Sequence, residues 1–276
     1  MAKIHLFEHR RLSEVNLLSG LAVESVTPLA RSGRWRRELP HAESLSVLIW
    51  VARGQGRILL DGIARTYLGG TLIALPAGTP FALQPGPITE ATLVRVPDLF
   101  EAPMPGDPAM LRLPQSGVQA ELVALLDALS SRGGLGDPVA CRAALGRVIL
   151  LSALVESQRH RAIPLPDRPV ARRFVHAVEG VVRADALPQI GRTIGILPDD
   201  LNAAMWEASG MTATEWLSAR VLHEARSKLA EAGASPAAVA DALGFADAGA
   251  LTVALREGPG REPRIIGSAG VRRDQG

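Results

Sequence analysis

The chain has 276 residues, of which 47% are hydrophobic and 21% charged, so a fully disordered chain is excluded and one large or two ordinary domains are expected. With 30 basic and 28 acidic residues, the net charge of +2 does not by itself indicate a nucleic-acid partner. A single cysteine, Cys141, excludes an internal disulfide and a four-cysteine zinc site. The first residues lack the apolar segment of a signal peptide, and the densest apolar run is shorter than the ~20 residues of a membrane span. We therefore expect a cytoplasmic protein without membrane contact.

Residues from about 20 to 97 have the pattern of short β-strands. Apolar runs separated by Gly, Pro and Asp-Gly turns lie at 47–52, 57–60, 71–75, 81–84 and 92–96. Short strands at this regular spacing are typical of a sandwich or barrel. The proline-rich residues 98–115 are expected to form an irregular connection, followed by helices at 118–129 and 137–161.

The composition changes at residues 162–169, which contain three prolines and predict a stiff linker. Beyond it the apolar residues recur with a helical period. The predicted helices are 170–184, 186–194, 198–208, 212–229, 235–244 and 248–257. The expected N-cap residues of the predicted helices are Asp137, Asp185, Ser235, Asp247 and Thr212, the last in a capping box with Glu215. Glu224 and Lys228 are expected to pair at i,i+4. The sequence thus predicts a multi-domain α+β protein, with a β-rich N-terminal domain and an all-α C-terminal domain.

The C-terminal half contains an internal repeat. Residues 190–196 align with 239–245, and Leu201 and Met205 align with Leu251 and Leu255. Each copy has a short helix, a turn containing Gly195 or Gly244, and a second helix. This is the pattern of a helix-turn-helix motif, and glycine suits the positive φ of such a turn.

Two such motifs joined by a long helix resemble the AraC family of bacterial transcription regulators. The resemblance rests on the segment Leu243-Gly-Phe-Ala-Asp247, on Gly260 with Pro263 three residues later, and on Thr212–Leu229, which is similar to the family's linker helix. It covers about residues 170–264. More loosely, the β-rich half resembles the family's cupin-like barrel, and the two helices after it resemble the dimerisation helices.

The resemblance implies a division into four segments: a cupin-like effector-binding and dimerisation domain at 1–161, a linker at 162–169, a double helix-turn-helix domain at 170–264 and a tail at 265–276. It implies a sequence-specific DNA-binding regulator that is controlled by a small molecule bound in the N-terminal barrel, and not an enzyme. The expected partners are double-stranded DNA, the effector, a second copy of the chain and RNA polymerase. No cofactor is expected.

The sequence also departs from the family pattern. Ala203 and Val253 stand where the family has an arginine in each recognition helix, and Asp199 and Asp200 lie in the first turn of the first one. Residues 168–276 carry thirteen basic and thirteen acidic side chains, which predicts few phosphate contacts. The candidate DNA-binding residues are Asn202, Trp206, Thr252, Arg256, Arg261 and Arg264.

For the N-terminal domain, the candidate ligand-binding residues are His41, Trp50, Tyr67 and Phe81. His41, followed by Glu43, does not complete the histidine-rich metal set of a cupin enzyme, so no metal is expected. Two alternatives stay open from the sequence: a co-regulator that acts by protein contacts without binding DNA, and a cupin-type enzyme or carrier with an appended helical domain.

Overall fold

The computed structural model describes residues 18, 20–26, 35–97, 106–114, 117–130 and 138–259. Its N-terminal domain contains strands β1 (Ala22–Val26), β2 (Ser46–Arg53), β3 (Gln55–Leu60), β4 (Ile63–Leu68), β5 (Thr71–Leu75), β6 (Phe81–Pro85), β7 (Glu90–Val96) and β8 (Ala109–Arg112). It also contains helices α1 (Trp35–Glu38), α2 (Gly117–Ser130) and α3 (Pro138–Ser157), and a 3-10 turn at Arg159–Arg161. The strands form two antiparallel sheets, with orders β1-β7-β2-β5-β8 and β4-β3-β6.

Strand alternation sorts the buried side chains into two layers around the five-stranded sheet. On β2, Val47, Ile49 and Val51 face the three-stranded sheet and share its core. The intervening Leu48 and Trp50 pack on the opposite side, against α2 and α3. Because successive strand residues point to opposite faces, an almost continuous apolar run such as β2 fits a sheet that is covered on both sides.

The C-terminal domain is entirely helical in its described part. It contains α4 (Pro169–Gly180), α5 (Leu187–Ile194), α6 (Pro198–Ser209), α7 (Ala213–Leu229), α8 (Pro236–Ala242) and α9 (Ala248–Glu257). One apolar core joins these helices around Phe174, Trp216 and Phe245. The predicted architecture, a β-sheet domain followed by a helical helix-turn-helix region, is confirmed.

The two domains share part of this core. Leu59 of β3 and Ala82 of β6 are buried with Phe174 and Val175 of α4. Leu59 can pack on the helical domain because the residues beside it, Ile58 and Leu60, point to the other face of the three-stranded sheet. The three-stranded sheet is therefore sandwiched between the five-stranded sheet and the helical domain.

Several predicted boundaries are wrong. The proline-rich segment 98–115 contains strand β8, which pairs with β5. The helix expected at 170–184 ends at Gly180, and the next begins at Leu187 with Ala186 as its N-cap residue. Asp185, predicted as that cap, instead binds Arg183, as described below. The helix expected at 137–161 ends at Ser157, and its predicted cap Asp137 lies outside the described residues.

Candidate functional site

Both repeats form the turn that the sequence predicts. Gly195 has a φ of 68° and Gly244 a φ of 76°, and each follows the first helix of its motif. The next amide closes each turn: Ile196 donates to the carbonyl of Gly191, and Phe245 donates to the carbonyl of Ala240 at 2.9 Å. The second helices, α6 and α9, follow these turns at equivalent places.

Helix α7 connects the motifs and begins with a complete capping box. The Thr212 hydroxyl accepts a hydrogen bond from the Glu215 amide at 3.1 Å, and the Glu215 carboxylate accepts one from the Thr212 amide at 2.7 Å. This reciprocal pair satisfies two amides that a helix start leaves without partners. The predicted pair of Glu224 and Lys228 is also present, at 3.3 Å.

The connection between α4 and α5 holds the turn of the second motif. Arg183 forms two hydrogen bonds of 2.9 Å with Asp185 and also reaches the carbonyls of Asp241 and Ala242 in α8. These hydrogen bonds lower the pKa of the Asp185 carboxyl. Nearby, the amide of Ala184 donates to the carbonyl of Leu243 at 2.8 Å. The two motifs are thus connected by polar contacts as well as by a shared core.

The exposed side of α6 is apolar and acidic. Leu197, just before the helix, is 70% exposed, and Trp206 is 61% exposed. Asp199 and Asp200 in the first turn are exposed, and Glu207 pairs at 2.9 Å with Arg168, the N-cap residue of α4. The helix itself has no basic residue. Carboxylates here suit the positive end of the helix dipole but repel phosphates.

Asn202 has a structural contact of its own. Its side-chain oxygen accepts a hydrogen bond of 3.0 Å from the amide of Ala213, in the first turn of α7. The base-reading role predicted for Asn202 therefore competes with this contact, which fixes the start of α7 relative to α6. Trp206 is left as the predicted contact residue of α6 whose side chain faces solvent.

Helix α9 also presents few polar groups. Thr252 is exposed, and its hydroxyl donates a hydrogen bond of 2.8 Å to the carbonyl of Ala248 in its own helix. Arg256 is exposed in the last turn, and Val253 is 42% exposed. Arg261 and Arg264 lie outside the described residues. Asp247 caps the helix by accepting from the Ala250 amide at 2.7 Å, as a cap rather than a base contact.

Residues 190–265 match the family model described as a helix-turn-helix domain. The C-terminal region is a helix-turn-helix domain of the AraC type. The helix-turn-helix is a motif whose second helix enters the major groove in many DNA-binding proteins. No protein of curated function matches the sequence.

The overall arrangement is similar to that of solved regulators at low sequence identity. Apo ToxT from Vibrio cholerae, as a point variant, is 12% identical, with a TM-score of 0.46 over 89% of this chain and 96% of that one. ToxT bound to an unsaturated fatty acid is 11% identical, with a TM-score of 0.41 over 91% and 97% of the two chains. The AraC-like transcriptional activator CuxR is 14% identical, with a TM-score of 0.32 over 77% and 75%.

The predicted ligand-binding residues do not share one site. Trp50 packs against the helices on the outer side of the five-stranded sheet. Tyr67 and Phe81 are buried between the two sheets. Burial raises the pKa of the Tyr67 hydroxyl to about 12. His41 lies at the border with the AraC-type domain, 4.4 Å from the Phe81 ring.

His41 stacks on a histidine of the other domain. The rings of His41 and His223 of α7 are 4.4 Å apart and inclined by only 6°. His41 is 4% exposed, and its Nδ1 lies 2.9 Å from the carbonyl of Leu39. His223 Nε2 lies 3.3 Å from the carbonyl of Arg36. The sequence gives no sign of this pair, because its members are distant in the chain and belong to different predicted domains.

A second contact between the domains is ionic. Asp61, at the turn between β3 and β4, is 2% exposed, and its two oxygens bind Arg172 at 2.6 Å and His176 at 2.7 Å. Arg172 and His176 are one helical turn apart on α4, so one carboxylate holds both. Arg57 of β3 adds a hydrogen bond to the carbonyl of Ser209, at the end of α6.

The cavities on the described surface include the following three. One of about 520 Å³ lies in the first motif, lined mainly by apolar residues with Arg192 as the charged member. Another of about 450 Å³ lies along β3 and β4. The third, of about 330 Å³, lies beside the linker and includes Asp61 and Arg172.

Within the described ranges, no cluster of three or more His, Cys, Asp or Glu side chains could hold a metal ion. No helix in those ranges has the length and hydropathy to cross a bilayer.

Proposed function

We propose that the protein is a sequence-specific DNA-binding transcription regulator whose N-terminal domain controls how the two helix-turn-helix motifs meet DNA. The observation that carries this proposal is the double motif itself, with equivalent glycine turns before α6 and α9. Adjacent major-groove faces on one side of a duplex are about 34 Å apart. A continuous α7 of 17 residues gives the two motifs a fixed separation along the chain.

The predicted DNA contacts are Asn202 and Trp206 on α6, Thr252 and Arg256 on α9, and Arg261 and Arg264 after it. Residues 168–276 carry equal numbers of basic and acidic side chains and α6 is acidic, so few phosphates are neutralised and we expect a shallow dependence of affinity on salt. Arg256 is the described arginine of α9 and is exposed. It supplies charge rather than base selectivity in this proposal.

Binding of the purified chain to its own upstream DNA and to a scrambled duplex, at salt between about 50 and 200 mM, tests the proposal. We expect a clear preference for the native duplex. Arg256→Gln should weaken binding to both duplexes alike and reduce the salt slope by about 1. Arg112→Gln, an exposed arginine on β8, is the matched control. Equal affinity for both duplexes would refute sequence-specific binding.

A second function is favoured by the exposed face of α6. Leu197, Trp206 and the acidic first turn would suit a basic protein surface with an apolar centre better than a phosphate backbone. In this alternative the protein is a co-regulator that acts on another transcription factor without contacting DNA. Absent DNA binding combined with a pull-down that depends on Trp206 would favour it.

The proposal includes control by a small molecule and assembly into a homodimer. Contacts from the N-terminal domain to α4, α6 and α7 supply a route from an effector to the first motif. For the dimer, α3 presents Val139 at 66% exposure and Leu150 at 56%. Light scattering at micromolar concentration should give twice the chain mass, and a strictly monomeric mass would refute the dimer.

A further inference from the structure

We propose that the docking of the N-terminal domain onto the AraC-type domain is a pH-dependent latch. The latch is closed near neutral pH and weakens at both alkaline and acid pH, because histidines at two separate contacts respond to pH in opposite directions. Alkaline conditions remove the charge of His176 at the Asp61 contact. Acid conditions place charge on the stacked pair of His41 and His223. As a form of regulation this deepens the proposed function, but the docking itself is measured without DNA.

The Asp61 contact requires charge on His176. Asp61 is buried and holds His176 Nε2 at 2.7 Å and Arg172 Nε at 2.6 Å. The hydrogen bond to Asp61 raises the pKa of His176 against the effects of desolvation and the charge of Arg172, and Glu179 on the same helix acts in the same direction as Asp61. Burial opposes ionisation of Asp61, but His176 and Arg172 outweigh it and lower its pKa.

The raised pKa of His176 determines how this contact depends on pH. A histidine whose pKa is raised by docking stabilises the docked state fully below its free value of about 6.5. This contribution fades as the pH rises through the raised value. Arg172 stays charged, so the alkaline side weakens the latch without removing the ion pair to Asp61.

The stacked pair requires both rings to be neutral. Burial lowers the pKa of His223 to about 3, helped by the charges of His41, Arg220 and Arg226, against the carbonyl of Arg36. For His41, burial also lowers the pKa, with Arg220 and Arg95 in the same direction and Leu39 and Glu43 opposing. Two cations cannot be stacked at 4.4 Å without strong repulsion.

The two arginines beside this pair, Arg220 and Arg95, are held in place by carboxylates. Arg220 is 7% exposed and bound by Glu179 of α4 at 2.8 Å and by Glu224 at 3.1 Å. Arg95 of β7 binds Glu43 at 2.9 Å. Glu43 Oε1 lies 3.9 Å from His41 Nε2, but the same oxygen is bound by Arg95, so it compensates an added imidazolium only in part. The contribution of the pair is therefore present above the free histidine value of about 6.5 and is lost as the pH falls below it.

Both contacts contribute fully to docking only in one range of pH. This range lies between the pKa of a free histidine and the raised pKa of His176. Both contacts bind helices that set the position of the first motif, through α4 at Asp61 and through α7 at His41. Loosening either contact weakens the hold of the N-terminal domain on this motif, which then depends more on the shared apolar core and on the Arg57 contact with Ser209. The pH dependence thus acts on the part of the molecule that the proposed function uses.

Small-angle scattering of the full chain at pH 5, 7 and 9, with NMR titration of the imidazole signals, tests the latch. We expect the smallest radius of gyration at pH 7 and a His176 midpoint above about 6.5. Asp61→Asn keeps a turn-forming Asn-Gly pair but removes the charge, so the His176 midpoint should return to about 6.5 and docking should weaken at pH 7.

Two further variants separate the two sides. His223→Phe keeps a flat ring but removes one of the two titrating groups, so it should reduce the expansion at pH 5, with only His41 left to titrate, and leave the response at pH 9 unchanged. His160→Phe is the matched control, because His160 is exposed and contacts the carbonyl of Ser157 in its own domain. A radius independent of pH, or a His176 midpoint unchanged by Asp61→Asn, would overturn the proposal. Loss of DNA binding with the latch intact would affect only the proposed function.

Discussion

The two helix-turn-helix motifs share their turn geometry but differ in what surrounds the turn. At Gly195 in the first motif, an added side-chain carbon would have nothing within 4 Å. At Gly244 in the second, it would lie 2.6 Å from an oxygen of Asp185. The first motif is held beside the three-stranded sheet through α4 and α6. The second is held at its turn by Asp185 and Arg183, and Leu255 of α9 packs on a small cluster that contains Leu39 of the N-terminal domain. Equivalent local structure is therefore fixed by different neighbours, which mutations in each motif should reveal.

The largest effect is expected from removing a buried ring near each motif. Phe174 of α4 packs beside both Leu59 and the first motif, and Phe245 follows the turn of the second. Each alanine substitution should lower the free energy of unfolding by about 3–5 kcal/mol, because it leaves a cavity in a close-packed core. Chemical denaturation of the full chain measures this loss.

The two variants should lose stability in different parts of the molecule. Hydrogen exchange in Phe245→Ala should accelerate in α8 and α9, whereas Phe174→Ala should also accelerate exchange in β3 and β6, where Leu59 and Ala82 lie. The same exchange pattern in both variants would contradict the view that the first motif alone shares a core with the three-stranded sheet.

An intermediate effect is expected at the two turn glycines. Gly195→Ala should cost about 1–2 kcal/mol, since only the positive φ is unfavourable for a side chain there. Gly244→Ala has the same backbone penalty and also clashes with Asp185, which adds about 1–3 kcal/mol of overpacking. Thermal unfolding of both variants compares the two losses. Equal losses would mean that the Asp185 side chain moves away without cost.

The control for this comparison is Gly244→Ala combined with Asp185→Ala. Removing the carboxylate also removes the partner of Arg183, so this double variant is compared with Asp185→Ala alone. In that background the extra cost of Gly244→Ala should fall to the value found at Gly195. A cost that stays high would place the clash on Arg183, whose guanidinium lies 3.2 Å from the added carbon.

These comparisons show which features the sequence could predict. The glycine turns, the capping box at Thr212 and the caps at Ser235 and Asp247 depend on residues within a few positions, and the structure confirms them. The helix-turn-helix repeat also follows from local spacing. For the same reason the overall fold class could be predicted before the structure was considered.

The domain interface could not be predicted in this way. In the sequence, Asp61 stands out only as the first residue of an Asp-Gly turn, and its partners on α4 lie 111 and 115 residues away. The stacking of His41 on His223 likewise depends on the packing of two domains. The contact of Asn202 with Ala213 depends on the angle between α6 and α7, which a helical pattern does not define.

The smallest effect is expected from removing single helix caps, at Thr212 before the linker helix α7 and at Ser235 before α8 of the second motif. The Thr212 hydroxyl accepts at 3.1 Å within a reciprocal box, whereas the Ser235 hydroxyl accepts from the Ala238 amide at 3.4 Å in an exposed position. Cap removal costs about 0.5–2 kcal/mol, so Thr212→Ala should fall near the upper end and Ser235→Ala near the lower. Unfolding in urea measures both. Thr212→Ser should retain nearly full stability, because a serine hydroxyl caps at least as well. A larger loss at Ser235 would show that the start of α8, and with it the second motif, depends more on local hydrogen bonds than on the Arg183 contacts at its turn.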